Sequence, residues 1–364
     1  MRLFLNPAVQ RNDSFRGLFS DDEYEDVRRR FKDSSHRGDL PTPLRRLDSL
    51  ARAWDVGQIC AKDETNRQGV NAFKIAGVSY AVERLGATAA RRGLVCATAG
   101  NHGRAVARVA RMKGVPCTVF LPVARTAEPI EQHTRQARVD AMQDDQATVT
   151  EVDGTYEEAV HLAAAFGART GATIVSDTSW EGYEQIPRWI MAGYTQLFEE
   201  ASGQWDARPD LVIIQGGVGG LVCAAVSWFA ARYGASRPLL IAAEPEQAAC
   251  LLESAKNGSA TTVGGSLDTI MAGLRCAEPS PLAWPTIAAG VDGFVTVTDA
   301  AAVETMALLE SSKGGERIHA GPSGVCGLAA LREIAREPEL RSNPIMDSCR
   351  TMRALVVITE GSLR

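Results

Sequence analysis

The chain has 364 residues, 45% of them apolar, with a formal charge of -5 and a pI near 5.7, enough apolar material for a large core. Its Lys and Arg residues are scattered, which argues against nucleic acid and anionic membrane as partners and favours a small-molecule substrate. Eight cysteines without a CxxC pair, and histidines only at 36, 102, 133, 161 and 319, argue against a metal site or a dense disulfide framework.

In chain order, residues 1–7 (Met-Arg-Leu-Phe-Leu-Asn-Pro) lack the extended apolar core of a signal peptide and soon give way to charged sequence, so the chain is expected to be cytoplasmic. Residues 21–32 carry mixed charge signs and read as a solvated helix face. Strand-sized apolar runs follow at 94–98, 117–121, 173–175, 211–214, 239–243 and 355–358, each far short of the roughly 20 residues that span a bilayer. Between them lie helical patterns at 103–112, 156–166 and 300–309. This alternation predicts a parallel α/β architecture in two lobes. The polar, weakly periodic stretch 125–146 is expected to be a mobile part of the smaller lobe covering the active site.

Three segments carry chemistry. Lys74 stands in Asn71-Ala72-Phe73-Lys74 at the start of an apolar helical run, where desolvation favours the neutral amine that can form an imine with an aldehyde cofactor. A lone lysine of this kind can equally be a snorkelling surface side chain. Thr98-Ala99-Gly100-Asn101-His102-Gly103 falls where a strand ends and a helix begins, a ligand-binding location in an open sheet, although a helix N-cap uses the same residue types. Gly216-Gly217-Val218-Gly219-Gly220 directly follows an apolar strand and can aim backbone N–H groups and a positive helix end at a phosphate. It lacks the Lys-Ser/Thr of a nucleotide P-loop and the dinucleotide fingerprint, so a phosphate monoester cofactor fits better than ATP or NAD.

These three segments, in this order, resemble the fold-type II pyridoxal phosphate enzymes, the tryptophan synthase β-like group. Residues 177–183 (Asp-Thr-Ser-Trp-Glu-Gly-Tyr), 186–194, 269–274 (Thr-Ile-Met-Ala-Gly-Leu) and Pro281-Leu282-Ala283-Trp284 narrow the resemblance to diaminopropionate ammonia-lyase, over roughly residues 4–361. The resemblance implies two open, twisted, mostly parallel sheets flanked by helices. It also implies a large cofactor-binding lobe at 1–75 and 185–364, a smaller lobe at 76–184, and a homodimer. Lys74 is then the imine-forming lysine and the base for an L-substrate. Gly216, Gly217, Val218, Gly219 and Gly220 bind the phosphate of pyridoxal 5'-phosphate. Asn101 contacts the phenolic oxygen of its ring, and Thr359 offers a neutral hydroxyl near the ring nitrogen or else caps a terminal turn. Asp177 orients a substrate amine or assists proton movement, or is a turn aspartate satisfied by backbone. Thr98, Ala99, His102 and Tyr183 line the substrate, while Glu244 faces the cofactor edge or caps a strand end.

The chain departs from the family at two positions. Ala99 replaces an aspartate taken in the family as the proton acceptor for the D-isomer, so D-isomer activity is expected to be weak or absent. Pro322 replaces a glutamate, which with Ala99 reduces the means of holding a second cationic amino group and leaves open a hydroxyl leaving group. Cys250 and Cys276 stand where the family can carry a cysteine pair, and free thiols are expected in a reducing compartment. The expected activity is β-elimination from an L-2-amino acid, with L-2,3-diaminopropionate as substrate and pyruvate and ammonia as products. A serine/threonine-type or 3-aryl-serine dehydratase and a catalytically silent cofactor-binding protein are the alternatives.

Overall fold

Parallel strands whose residues are apolar on both faces must be covered on both faces, and two such sheets form in the computed structural model. It describes residues 1–35, 40–98, 100–123, 129–154, 156–312, 316–337 and 351–362. Two compact units result, one of Met1–Asn66 with Tyr194–Ser362 and one of Arg67–Gly193. The division therefore falls before Lys74 rather than at 75/76, because the helix that Lys74 opens packs within the second unit.

The larger unit begins with β1 (Leu3–Leu5), α1 (Asp21–Ser35), β2 (Leu44–Arg46), α2 (Asp48–Trp54) and β3 (Gln58–Asp63). The smaller unit follows with α3 (Lys74–Ala90), β4 (Leu94–Ala97), α4 (Asn101–Lys113), β5 (Cys117–Val123), α5 (Pro129–Asp144), β6 (Thr148–Asp153), α6 (Tyr156–Thr170) and β7 (Thr173–Ile174). The larger unit resumes at Tyr194, within α7 (Gln185–Ser202), and continues with β8 (Leu211–Gln215), α8 (Gly220–Tyr233), β9 (Leu239–Pro245), α9 (Cys250–Asn257), α10 (Trp284–Gly290) and β10 (Gly293–Val297). It closes with α11 (Asp299–Ser311), α12 (Cys326–Arg336) and β11 (Arg353–Ile358).

The larger sheet has the order β1-β10-β9-β8-β11-β3-β2, parallel from β10 to β3, with β1 and β2 added antiparallel at its edges. Every residue of β8 is buried, and Ile213 pairs with Ile241 of β9 and Val356 of β11. Leu50 and Trp54 of α2 and Leu328, Leu331 and Ile334 of α12 join these strands in one core. The smaller sheet, β6-β5-β4-β7, is wholly parallel, and Ala159 and Ala163 of α6 pack with Val95 and Phe120.

All six apolar runs read from the sequence form strands, with β4 and β7 each ending one residue short of the runs at 94–98 and 173–175, and the patterns at 21–32, 103–112, 156–166 and 300–309 lie within helices. Residues 129–144 of the polar stretch form α5, whereas 125–128 lie outside the described residues. Among the described residues no helix is long and apolar enough to cross a membrane, and no group of three His, Cys, Asp or Glu side chains gathers to hold a metal.

Candidate active site

In the smaller unit, the helix start and the loop after β7 bring Lys74, Asp177 and His102 together. Lys74 opens α3 with its ammonium 2.5 Å from Asp177 Oδ2 and 5.3 Å from the centre of the Phe73 ring. Both side chains of the pair keep limited exposure, 21% for Lys74 and 18% for Asp177, so each can still meet a ligand. Burial by itself would raise the Asp177 pKa. The Lys74 charge, the His102 imidazole and the hydrogen bond from Lys74 outweigh it and hold the carboxyl well below the usual carboxylate range.

The pair makes stability depend on pH with a defined sign. Because Asp177 holds its proton less tightly when folded, its contribution is present above the ordinary carboxylate range and is lost as the pH falls below about 4. Thermal melts of cofactor-free protein should show Asp177→Asn less stable by about 1–2 kcal/mol at pH 7, with the gap closing towards pH 3. A gap that stays constant with pH would assign the loss to packing instead.

His102 lies in the first turn of α4. Its Nε2 stands 2.8 Å from the Val175 carbonyl, which can only accept, so Nε2 carries hydrogen. Its buried Nδ1 has no hydrogen-bond partner among the described residues and faces Asp177 Oδ2 at 3.8 Å. Tyr183 is tied to the segment that carries Asp177: its hydroxyl donates to Ile174 O and accepts from Ser176 N–H, both at 2.9 Å, and its ring stacks on Trp180. Thr98 Oγ1 accepts the Gly100 N–H at 3.1 Å, at the end of β4. Asn101 opens α4 after Gly100, where an added Cβ would meet nothing within 4 Å. Ala99 lies outside the described residues.

The larger unit carries the glycine turn. Gly216 N–H donates to Ala243 O, and Val218 O accepts from Ser280 N–H, which fixes one side of the turn. A Cβ on Gly216 would stand 2.4 Å from Leu251 Cδ1, and one on Gly217 2.8 Å from Cys276 Sγ. Gly219 has φ +94° and precedes α8 without a side-chain cap, so a residue with a Cβ would be strained there as well as crowded by Ile287. Among the described residues the N–H groups of Gly217, Val218, Gly219 and Gly220 take no acceptor. Several unpaired N–H groups at the start of a buried helix suit a phosphate.

Thr359 follows β11 and is 4% exposed. Its Oγ1 accepts from Gln215 Nε2 at 2.8 Å, and the hydroxyl hydrogen meets no acceptor among the described residues. A buried donor in want of an acceptor fits an unprotonated ring nitrogen. Glu360 next to it accepts the Ser323 N–H at 3.0 Å, so a carboxylate lies against the turn that holds Pro322. Glu244 is turned to a structural task, accepting the N–H groups of Leu251 and Leu252 at 2.7 and 2.8 Å, and burial pushes its pKa up to about 8. Cys250 and Cys276 are thiols and not a bridge.

Gln215 and Glu360 were not singled out from the sequence. The available signal was a polar residue closing an otherwise wholly apolar strand, and an acid directly after another such strand.

Comparison with known proteins places these features in a wider context. The family model described as pyridoxal-phosphate dependent enzyme matches residues 36–347. A diaminopropionate ammonia-lyase of Escherichia coli K12 is 33% identical over 349 residues, covering 89% of this chain and 85% of that one. An L-threonine dehydratase of Lactococcus lactis is 26% identical over 300 residues, covering 81% and 67%. Among solved structures, diaminopropionate ammonia lyase from Escherichia coli in complex with an aminoacrylate-PLP azomethine reaction intermediate superposes with a TM-score of 0.86 at 31% identity, covering 100% of this chain and 94% of that one.

Proposed function

Because the chain belongs to the pyridoxal-phosphate dependent enzymes, and within them to the diaminopropionate ammonia-lyase family, we propose that it is a β-eliminating lyase acting on L-2,3-diaminopropionate. With one water, the substrate yields pyruvate and two ammonia molecules. The observation that carries this reading is Lys74 Nζ held 2.5 Å from the Asp177 carboxylate at the start of α3. Bound pyridoxal phosphate supplies an electron sink for the pair left at Cα when its proton departs.

The chain's own groups divide the remaining work. Lys74 takes the Cα proton, and Asp177 stabilises the resulting ammonium and keeps it in place. The N–H groups of residues 217–220 would hold the phosphate, Asn101 would contact the phenolic oxygen and Thr359 would donate to the ring nitrogen. Tyr183 and Trp180 brace the segment carrying Asp177, so Tyr183 serves the site through that segment. Thr98 and His102 belong to the substrate side, with Thr98 setting the turn at Gly100. The same reading includes a homodimer working in the cytoplasm, both resting on family resemblance.

Loss of a hydroxyl instead of ammonia is a second reading, favoured by Pro322. Glu360 weighs against it, since its carboxylate lies against that same turn and can attract a cationic β-amino group. Purified, cofactor-loaded enzyme offered the L-isomers of 2,3-diaminopropionate, serine, threonine and phenylserine discriminates the two. Diaminopropionate should lead in kcat/KM by about 100-fold or more, as expected where a buried acid recognises the extra amine. Faster turnover of serine or threonine would establish the dehydratase.

A further inference from the structure

Gln215 ends β8 one residue before the glycine turn and is 3% exposed. Its amide nitrogen lies within hydrogen-bond distance of four oxygens: Thr359 Oγ1 at 2.8 Å, Gly324 O at 2.9 Å, Val357 O at 3.0 Å and Ser323 O at 3.2 Å. Three of these are carbonyls, so the end of the side chain that faces them must be the NH2 group; the reverse orientation would set its oxygen against three acceptors. The Gln215 oxygen is buried without a hydrogen-bond partner among the described residues and stands 2.9 Å from where a Cβ on Gly327 would lie. That unsatisfied acceptor is the cost of the arrangement.

Thr359 is thereby given one hydrogen-bond sense. Its oxygen receives a hydrogen from Gln215, and its own hydrogen must be directed elsewhere. We infer that Gln215 is a positioning residue that presents the Thr359 hydroxyl as a donor to an unprotonated aromatic ring nitrogen. This rests on the proposed function, because the ring is that of the pyridoxal cofactor. The inference goes beyond that function by assigning control of the ring's protonation to a residue that acts through Thr359.

The test uses the full chain reconstituted with ring-15N-labelled pyridoxal phosphate, reading the ring-nitrogen chemical shift and the cofactor Kd. Wild type should give a shift typical of an unprotonated, hydrogen-bonded nitrogen. Gln215→Leu removes both the donor and the acceptor, so the Thr359 hydroxyl is no longer held in one sense and the ring-nitrogen shift moves away from the wild-type value. Gln215→Met removes the donor, weakening cofactor binding about tenfold. Combining it with Thr359→Val should weaken binding no further than Thr359→Val alone, since the two residues act as one unit. Additive losses, or wild-type ring shifts in both Gln215 variants, would overturn the inference while leaving the proposed function intact. A wild type that takes up no cofactor on Lys74 would instead overturn the functional reading.

Discussion

Lys74→Ala should lower kcat for L-2,3-diaminopropionate by about 10,000-fold or more and abolish the visible absorbance of lysine-linked cofactor. The size of the effect follows from the two tasks the proposed function gives to one amine, covalent attachment of the cofactor and removal of the Cα proton. Asp177 is no substitute for the covalent link, because a carboxylate cannot form an imine with the cofactor aldehyde. The fold should survive the change. Lys74 occupies the first position of α3, its side chain keeps 21% exposure, and alanine is a good helix former. Melting curves of wild type and variant without cofactor check that point. The glycine turn proposed to hold the phosphate belongs to the other unit, so on that proposal the variant should still bind the cofactor, without the covalent link and with reduced affinity. Residual turnover at the per cent level, with the fold intact, would show that another group takes the proton.

The second large effect is stereochemical. D-2,3-diaminopropionate should be turned over at least about 100-fold more slowly than the L-isomer, the usual worth of a missing general base. On the proposed function Lys74 serves one face of the substrate, and the resemblance to the family implies that an aspartate at the position of Ala99 would serve the other. Alanine has no group that can accept a proton. The neighbouring Thr98 hydroxyl is already committed to the Gly100 N–H. Ala99→Asp should therefore raise the D-rate by about tenfold or more while leaving the L-rate within a few-fold, measured on both isomers at saturating cofactor. Equal D- and L-rates in the wild type would refute the assignment.

The fold was legible wherever burial on both faces leaves an uninterrupted apolar run, as at 211–214 and 355–358. The strands that escaped notice have physical reasons for doing so. β3 ends in Lys62 and Asp63, yet Lys62 is 1% exposed, its ammonium 2.7 Å from Glu200 and 2.6 Å from the Thr42 carbonyl. Charges answered by partners distant in sequence cannot be recognised as core from their own neighbours. β6 lies at a sheet edge with mostly polar residues, and β1 and β2 have three residues each. For the site, the segments containing Lys74, Asn101 and the glycine turn stood out because their residue types are unusual at element boundaries. The Thr359 side chain was ambiguous until Gln215 gave its hydrogen bond a direction, a relationship spanning 144 residues.

The two edge strands bear on self-association. β1 and β2 close the larger sheet with antiparallel stubs of three residues, each presenting too few outward N–H and C=O groups to template a further strand. Continuous sheet extension from one copy to the next is thereby discouraged, as is the edge-to-edge aggregation to which long bare strands are prone. A dimer built on the larger unit would therefore draw on helix and loop surfaces rather than on these two edges, while in the smaller sheet the six-residue edge strand β6 stays available for pairing.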